Sequence, residues 1–204
     1  MSHGPLRADS FPRLYLITGV RPDLAAFLES AVRGGVDIVQ IRDKELPDEE
    51  LIPVLHEARE VTRGLGVPLV VNDRPDLAAL VGADYAHVGQ DDPPVEVARR
   101  FDVAVGLSTH APEEIDRADS DYIGVGPVYA TPTKEGQPPV GLGLVRYAAE
   151  HARQPWFAIG GIDRTNVGEV VAAGATRVAV VRAIGDAPDA ELAAAVLAAA
   201  LLVR

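Results

Sequence analysis

Residues 37–72 read DIVQIRDKELPDEELIPVLHEAREVTRGLGVPLVVN, and this stretch decides the fold. It opens on a short β-branched run, Asp37–Ile41, and passes into the polar loop Arg42-Asp43-Lys44. A segment with helical spacing follows over 48–63, Gly64 and Gly66 stop it, and a second β-branched run, Pro68–Asn72, begins at once. Strand, loop, helix, turn and strand make up the parallel β/α unit, in which the helix returns the chain so that the next strand runs the same way.

The same unit recurs in both directions along the chain. Further strands are expected near Leu14–Thr18, Tyr85–Val88, Val103–Ser108, Tyr122–Gly126, Trp156–Ile159 and Arg177–Val181. Helical patterns are expected over 23–33, 75–82, 94–100, 112–118, 142–152, 164–173 and 189–203. Gly34-Gly35, Gly82 and Gly174 stand where helices should stop, because glycine takes the left-handed C-terminal conformation at low cost. Pro22, Pro75 and Pro93 stand where helices should start, at the position whose N–H has no helical partner. Eight strands alternating with eight helices allow a closed barrel or an open doubly wound sheet. Their number and even spacing predict an α/β fold of the (β/α)8 TIM barrel type, near the low end of roughly 200 residues for that fold. Residues 11–204 are read as the barrel, a single compact domain. The polar segment Met1–Ser10 is read as a flexible N-terminal tail.

Composition narrows the function classes. The 204 residues are 48% hydrophobic and 24% charged, ordinary values for one globular domain. A net charge of −11 argues against coating a nucleic acid, which needs clustered positive charge. It leaves room for small phosphorylated ligands, which need only local charge and backbone donors. Cysteine is absent, which excludes disulfides, cysteine-based zinc sites, iron–sulfur clusters and thiol nucleophiles. The longest Ala- and Leu-rich run, Leu192–Val203, is about half the roughly 20 residues of a membrane span. No signal-peptide pattern opens the chain. A cytoplasmic protein without membrane or nucleic-acid partners is expected, and a homo-oligomer is compatible with all of this.

In a parallel barrel the chemistry sits at the carboxyl ends of the strands. Six of the eight expected ends carry polar groups suited to an anionic ligand. Gln40, Arg42 and Lys44 alternate, so period two places them on one face, the barrel interior, with Val39 and Ile41 on the other. Such inward cations need an anionic partner, unless they form salt bridges with Asp43 and Glu45 on an exposed loop. Lys44 and Lys134 are the only lysines, and both fall in strand-end loops.

Asp73 and Asp92 follow adjacent strands about 4.8 Å apart. Both carboxylates can therefore share one oxygen-liking ion such as magnesium. Asp92 before Pro93 equally suits a helix N-cap, and Asp73 can pair with Arg74. Thr131-Pro132-Thr133-Lys134-Glu135-Gly136 lies in the longest connection and suits either a lid over phosphate or a polar surface loop. Gly160-Gly161 after the seventh strand, and Arg182-Ala183 after the eighth, stand where barrels bind phosphate through backbone N–H groups. The alternative there is a tight turn before an N-cap at Asp163. His87 reads as an interior histidine with satisfied hydrogen bonds. His110, past the fifth strand, is a candidate for catalysis or hydrogen bonding.

Taken in order, several segments resemble the thiamine-phosphate synthase family. They are Val39 to Lys44, Val71-Asn72-Asp73-Arg74, His87-Val88-Gly89-Gln90-Asp91-Asp92, Gly106 to His110, Tyr122 to Pro127, Thr131 to Lys134 and Ala158-Ile159-Gly160-Gly161-Ile162. The resemblance implies a transferase of thiamine biosynthesis with Mg2+ as cofactor and phosphorylated small molecules as substrates. It would join 4-amino-2-methyl-5-hydroxymethylpyrimidine diphosphate to 4-methyl-5-(2-hydroxyethyl)thiazole phosphate, giving thiamine phosphate and pyrophosphate.

By matching motif positions, Gln40, Arg42, Lys44, Asn72, Ser108 and Lys134 would hold the pyrimidine diphosphate. Asp73 and Asp92 would hold magnesium. Thr131, Thr133, Gly161 and the backbone at Val181 and Arg182 would hold the thiazole phosphate. Ile41, Asp43 and Pro132 belong to the same binding motifs. Arg42, Lys44, Ser108 and Lys134 form the implied catalytic set. Two departures stand out: Arg182 replaces a common serine, and Asp43 a glutamate. Two other functions remain in view, the thiazole tautomerase of the same barrel family, with His110 moving the proton, and a non-catalytic barrel that senses thiamine precursors.

Overall fold

A computed structural model describes residues 11–131 and 138–202. Eight parallel strands close into a barrel in the order β1 to β8, each hydrogen-bonded to its sequence neighbours and β8 back to β1. The strands are β1 Leu14–Thr18, β2 Ile38–Ile41, β3 Leu69–Asn72, β4 Tyr85–Val88, β5 Ala104–Thr109, β6 Tyr122–Val125, β7 Trp156–Ile159 and β8 Val178–Val180. The helices are α1 Leu24–Arg33, α2 Asp48–Leu65, α3 Pro75–Val81, α4 Val95–Ala98, α5 Pro112–Arg117, α6 Gly141–His151, α7 Val167–Ala172, α8 Arg182–Gly185 and α9 Ala190–Ala200.

The expected elements are all present, with shifts at their ends. Gly66 (φ 72°) closes α2, whereas Gly64 lies inside that helix. Pro75 occupies the first turn of α3, but Pro22 and Pro93 lie just ahead of their helices. The short α8 directly after β8 has no counterpart in the expected pattern: four residues are too few to show helical periodicity. Asp163 caps a turn through the Thr165 N–H rather than capping α7, which begins four residues later.

Period-two alternation divides the strand side chains between two layers. Leu14, Leu16, Val39, Ile41, Val71 and Ala158 face outward and pack with the helices. The interior below the strand ends holds Phe11, Tyr15, Ile17, Ile38, Val70, Tyr85, Tyr122, Phe157 and Ala179. Five of the chain's nine Phe and Tyr residues gather there. Their ring centroids lie between 5.0 Å (Tyr15–Phe157) and 6.2 Å (Phe11–Tyr85), the spacing of favourable edge and tilted contacts. This aromatic plug fills the lower barrel and leaves the upper interior, toward the carboxyl ends, for polar groups.

Candidate active site

A cavity of about 270 Å³ opens at the carboxyl ends of the strands. Gln40 and Arg42 line it from β2, Asn72 from β3, His87 from β4, Ser108 and His110 from β5, and Thr131 from the connection after β6. Gly160 and Gly161 after β7, and Val181, Arg182 and Ala183 after β8, complete the opposite wall. In a closed ring of eight, β2 to β4 lie across from β6 to β8. The cavity therefore has two distinct sides.

The β2–β4 side carries Arg42, with Lys44 and a pair of carboxyls at its rim. Gln40 is fully buried, and its Nε2 donates to the Tyr15 hydroxyl at 2.6 Å. The Arg42 guanidinium makes no ion pair with a described residue, so the expected alternative of a bridge to Asp43 or Glu45 is not what forms. Asp43 instead accepts the backbone N–H groups of Glu45 and Leu46 at 2.9 and 2.8 Å and shapes the loop. The Asn72 side-chain nitrogen is buried with no acceptor among the described residues. A buried donor left unpaired is costly, and an anionic oxygen in the cavity would relieve that cost.

Lys44 lies at the rim, its Nζ 2.8 Å from Asp73 Oδ2. The Asp73 carboxyl in turn hydrogen-bonds to that of Asp92. Burial pushes Asp73 above the usual carboxylate range, and the neighbouring Asp92 adds to this against the Lys44 ammonium. Burial also opposes ionisation of Asp92. The Gly89 N–H at 2.7 Å, the Asp73 proton and the Lys44 charge outweigh it and hold Asp92 below the usual range.

Two adjacent carboxyls, one pushed above its usual range and the other held below it, form a donor set for a hard divalent cation. Among the described residues no third His or acid joins them. That fits magnesium, which takes one or two protein carboxylates and completes its shell with water and phosphate. Neither competing role for these carboxylates is realised. Arg74 pairs with Asp48 and Asp76 rather than with Asp73, and Asp92 binds the Gly89 N–H rather than capping α4. Asp73 also holds a left-handed backbone (φ 60°), rare for a non-glycine residue and typical of functional sites.

The β6–β8 side is built from backbone. Gly160 and Gly161 have φ of 102° and 65°. A Cβ on Gly160 would overlap Pro127, and one on Gly161 would overlap Tyr129. Both connections are tied together by the Val128 N–H to Ile159 O (2.8 Å) and the Tyr129 N–H to Gly160 O (3.0 Å). Asn166 donates to Gly161 O at 2.8 Å and fixes that carbonyl. Glycine is what this close approach of the two connections requires, and it leaves main chain rather than side chain on the cavity wall here.

Of the sequence-derived residues, Gln40, Arg42, Asn72, Ser108, Thr131, Gly161, Val181 and Arg182 line the one cavity. Lys44, Asp73 and Asp92 form the adjoining rim cluster. The Ile41 side chain is buried in the outer layer, so contact with a ligand is left to its backbone. Pro132, Thr133 and Lys134 lie outside the described residues. His87 is hydrogen-bonded in the interior, as expected, and also lines the cavity. Sequence reading did not give a role to Gln90, whose Nε2 donates to Ser108 O at 2.7 Å and ties the β4 and β5 ends together. It follows Gly89 at a strand end but carries no periodic or charge signal.

A closed parallel barrel with a cation and carboxylate cluster at one side of its mouth and glycine-rich backbone on the other has its cavity where barrel enzymes of small-molecule chemistry carry their active sites. Residues 14–184 match the family model described as thiamine monophosphate synthase, and the chain belongs to that family. A thiamine-phosphate synthase of Thermus thermophilus is 51% identical over 195 residues, 91% of this chain and 95% of that protein. The thiamine-phosphate synthase of Gloeobacter violaceus is 49% identical over 183 residues, 87% of this chain but 54% of that protein, so this chain spans about half of that longer relative. The solved thiamine phosphate pyrophosphorylase of Pyrococcus furiosus superposes with a TM-score of 0.85 at 31% identity, covering 93% of this chain and 95% of that one.

Proposed function

We propose that this chain is a thiamine-phosphate synthase that condenses 4-amino-2-methyl-5-hydroxymethylpyrimidine diphosphate with 4-methyl-5-(2-hydroxyethyl)thiazole phosphate, releasing pyrophosphate. One observation carries the assignment: a single cavity has two opposed sides, each suited to a phosphoryl group by different means. Family membership supports the same conclusion.

The chemistry follows from the residues. The pyrimidine methylene loses diphosphate, so negative charge grows on the leaving oxygens. Arg42 and Lys44 would stabilise it, and Asn72 would add a neutral donor. Gln40 and Ser108 offer hydrogen bonds to the pyrimidine. The Gly160-Gly161 and Val181-Arg182 backbone holds the thiazole phosphate so that its ring nitrogen meets the carbon the diphosphate leaves. Asp73 and Asp92 would hold magnesium, which when bound neutralises diphosphate charge. Lys134 and Thr133 would add to the diphosphate and thiazole-phosphate ends. No protein nucleophile is required, because positioning and electrostatics suffice for a dissociative substitution. A cytoplasmic location fits the role, and among the described residues no helix is long and apolar enough to cross a membrane.

The test is turnover. Purified chain is mixed with both substrates and magnesium, and thiamine phosphate is quantified with and without chelator. Chelator-sensitive product is the expected result. Folded protein that makes no product overturns the assignment. It would shift attention to His110, whose Nδ1 lies 3.3 Å from Glu114 Oε2 and which suits proton transfer in a thiazole tautomerase.

A further inference from the structure

Beneath the cavity an unbroken chain of hydrogen bonds crosses the barrel interior. Gln40 Nε2 on β2 donates to Tyr15 Oη on β1 at 2.6 Å. Tyr15 Oη lies 2.9 Å from Tyr122 Oη on β6, a strand that is not its neighbour. Tyr122 Oη lies 3.0 Å from His87 Nδ1 on β4, and His87 Nε2 lies 3.0 Å from Ser108 Oγ on β5. Gln40, His87 and Ser108 line the cavity, while the two tyrosines are wholly buried below it. Gly106 makes room for the middle of the chain: a Cβ there would overlap the Tyr122 ring and its oxygen.

Proton counting gives this chain a direction. An amide nitrogen only donates, and each phenol has one proton to give. Burial pushes both phenols above their ordinary pKa, so both keep that proton. Tyr15 accepts from Gln40 and so donates to Tyr122, and Tyr122 donates to His87 Nδ1. An imidazole that accepts at Nδ1 carries its proton on Nε2 and donates it to Ser108. Turning the Gln40 amide over would reverse every link at once.

We propose that Tyr15 and Tyr122 are positioning residues, whose hydroxyls carry the orientation of the Gln40 amide across the barrel to set the tautomer of His87 and the donor sense of Ser108. The ends then offer an amide oxygen as acceptor and a serine hydroxyl as donor. These complement an aromatic ring that carries an amino group beside an unprotonated ring nitrogen. The ligand part of this inference rests on the synthase reading, since an aminopyrimidine is such a ring. The tautomer part does not.

Two experiments separate them. In the full-length chain labelled with 15N-histidine, the His87 signal, assigned by its loss in His87→Gln, should show protonated Nε2 and unprotonated Nδ1. In Tyr122→Phe, which keeps the ring, this preference should collapse to a tautomer mixture. The KM for the pyrimidine diphosphate should rise about tenfold, as for one lost hydrogen bond, with the KM for the thiazole phosphate within about twofold. Tyr15→Phe should act in the same direction. Protonated Nδ1 in the unsubstituted protein, a tautomer untouched by Tyr122→Phe, or equal changes in both KM values would each overturn the proposal. If the unsubstituted chain makes no thiamine phosphate, the synthase assignment fails while the NMR result still decides the relay. If the variants do not fold, the unsubstituted chain's tautomer decides it.

Discussion

The Lys44 ammonium sits 2.8 Å from the Asp73 carboxylate and joins the loop after β2 to the end of β3. Lys44 is about half exposed and Asp73 much less so. Exposed ion pairs add little stability, so this contact is better understood as part of a charge-balanced cluster with Asp92 than as a fold-holding bridge.

Asp92→Asn should therefore separate function from stability. The amide can still accept from the Gly89 N–H, and one of two mutually repelling carboxyls is gone. Magnesium-dependent turnover should fall on the order of 100-fold, while the melting temperature at pH 7 moves by no more than a few degrees. Full activity with magnesium would remove this pair from the metal assignment.

Arg42 lines the cavity and pairs with no described carboxylate. Arg42→Gln should leave the melting temperature unchanged, because no described ion pair is lost. It should raise the pyrimidine diphosphate KM about 10- to 100-fold, the range for losing a charged hydrogen bond. Steady-state kinetics with the second substrate saturating provides the check.

Gly160→Ala meets two penalties at once, a φ of 102° and overlap with Pro127. Destabilisation of about 2–4 kcal/mol is expected. Residual activity should show a raised KM for the thiazole phosphate first. Urea unfolding measures the former and initial rates the latter.

Arg74 grips Asp48 and Asp76 and holds both carboxyls below their usual pKa through direct hydrogen bonds. A carboxyl whose pKa is depressed in the folded state gives stability above the unfolded pKa of about 3.9 and loses it as pH falls through the folded value. Arg74→Met should therefore lower the melting temperature by a few degrees at pH 7 and by less at pH 3. An equal gap at both pH values would show that packing of the arginine stem, not its charge, is responsible.

The barrel was legible because its signals are local. Each strand is a short β-branched run, and several helices end at a glycine that relieves backbone strain, as at Gly66 and Gly82. The strand-end rule then pointed to Gln40, Arg42, Asn72, Ser108 and Gly161, and these residues meet in one cavity. Helix α8 escaped because four residues carry no periodicity, and Gln90 escaped because a lone amide in a loop has no pattern.

The pairings were another matter. Asp73 had Arg74 beside it in sequence, yet it binds Lys44 and Asp92, while Arg74 turns to Asp48 and Asp76. Tyr15 and Tyr122 lie on strands far apart in the chain, and only closure of the barrel brings their hydroxyls to 2.9 Å, across 107 residues. Sequence by itself determined which residues stand at strand ends and which face inward, because periodicity and turn chemistry are properties of neighbouring residues. Tertiary structure alone decided which charge meets which and how the interior hydrogen bonds connect, because these depend on distances between strands that the chain order does not contain.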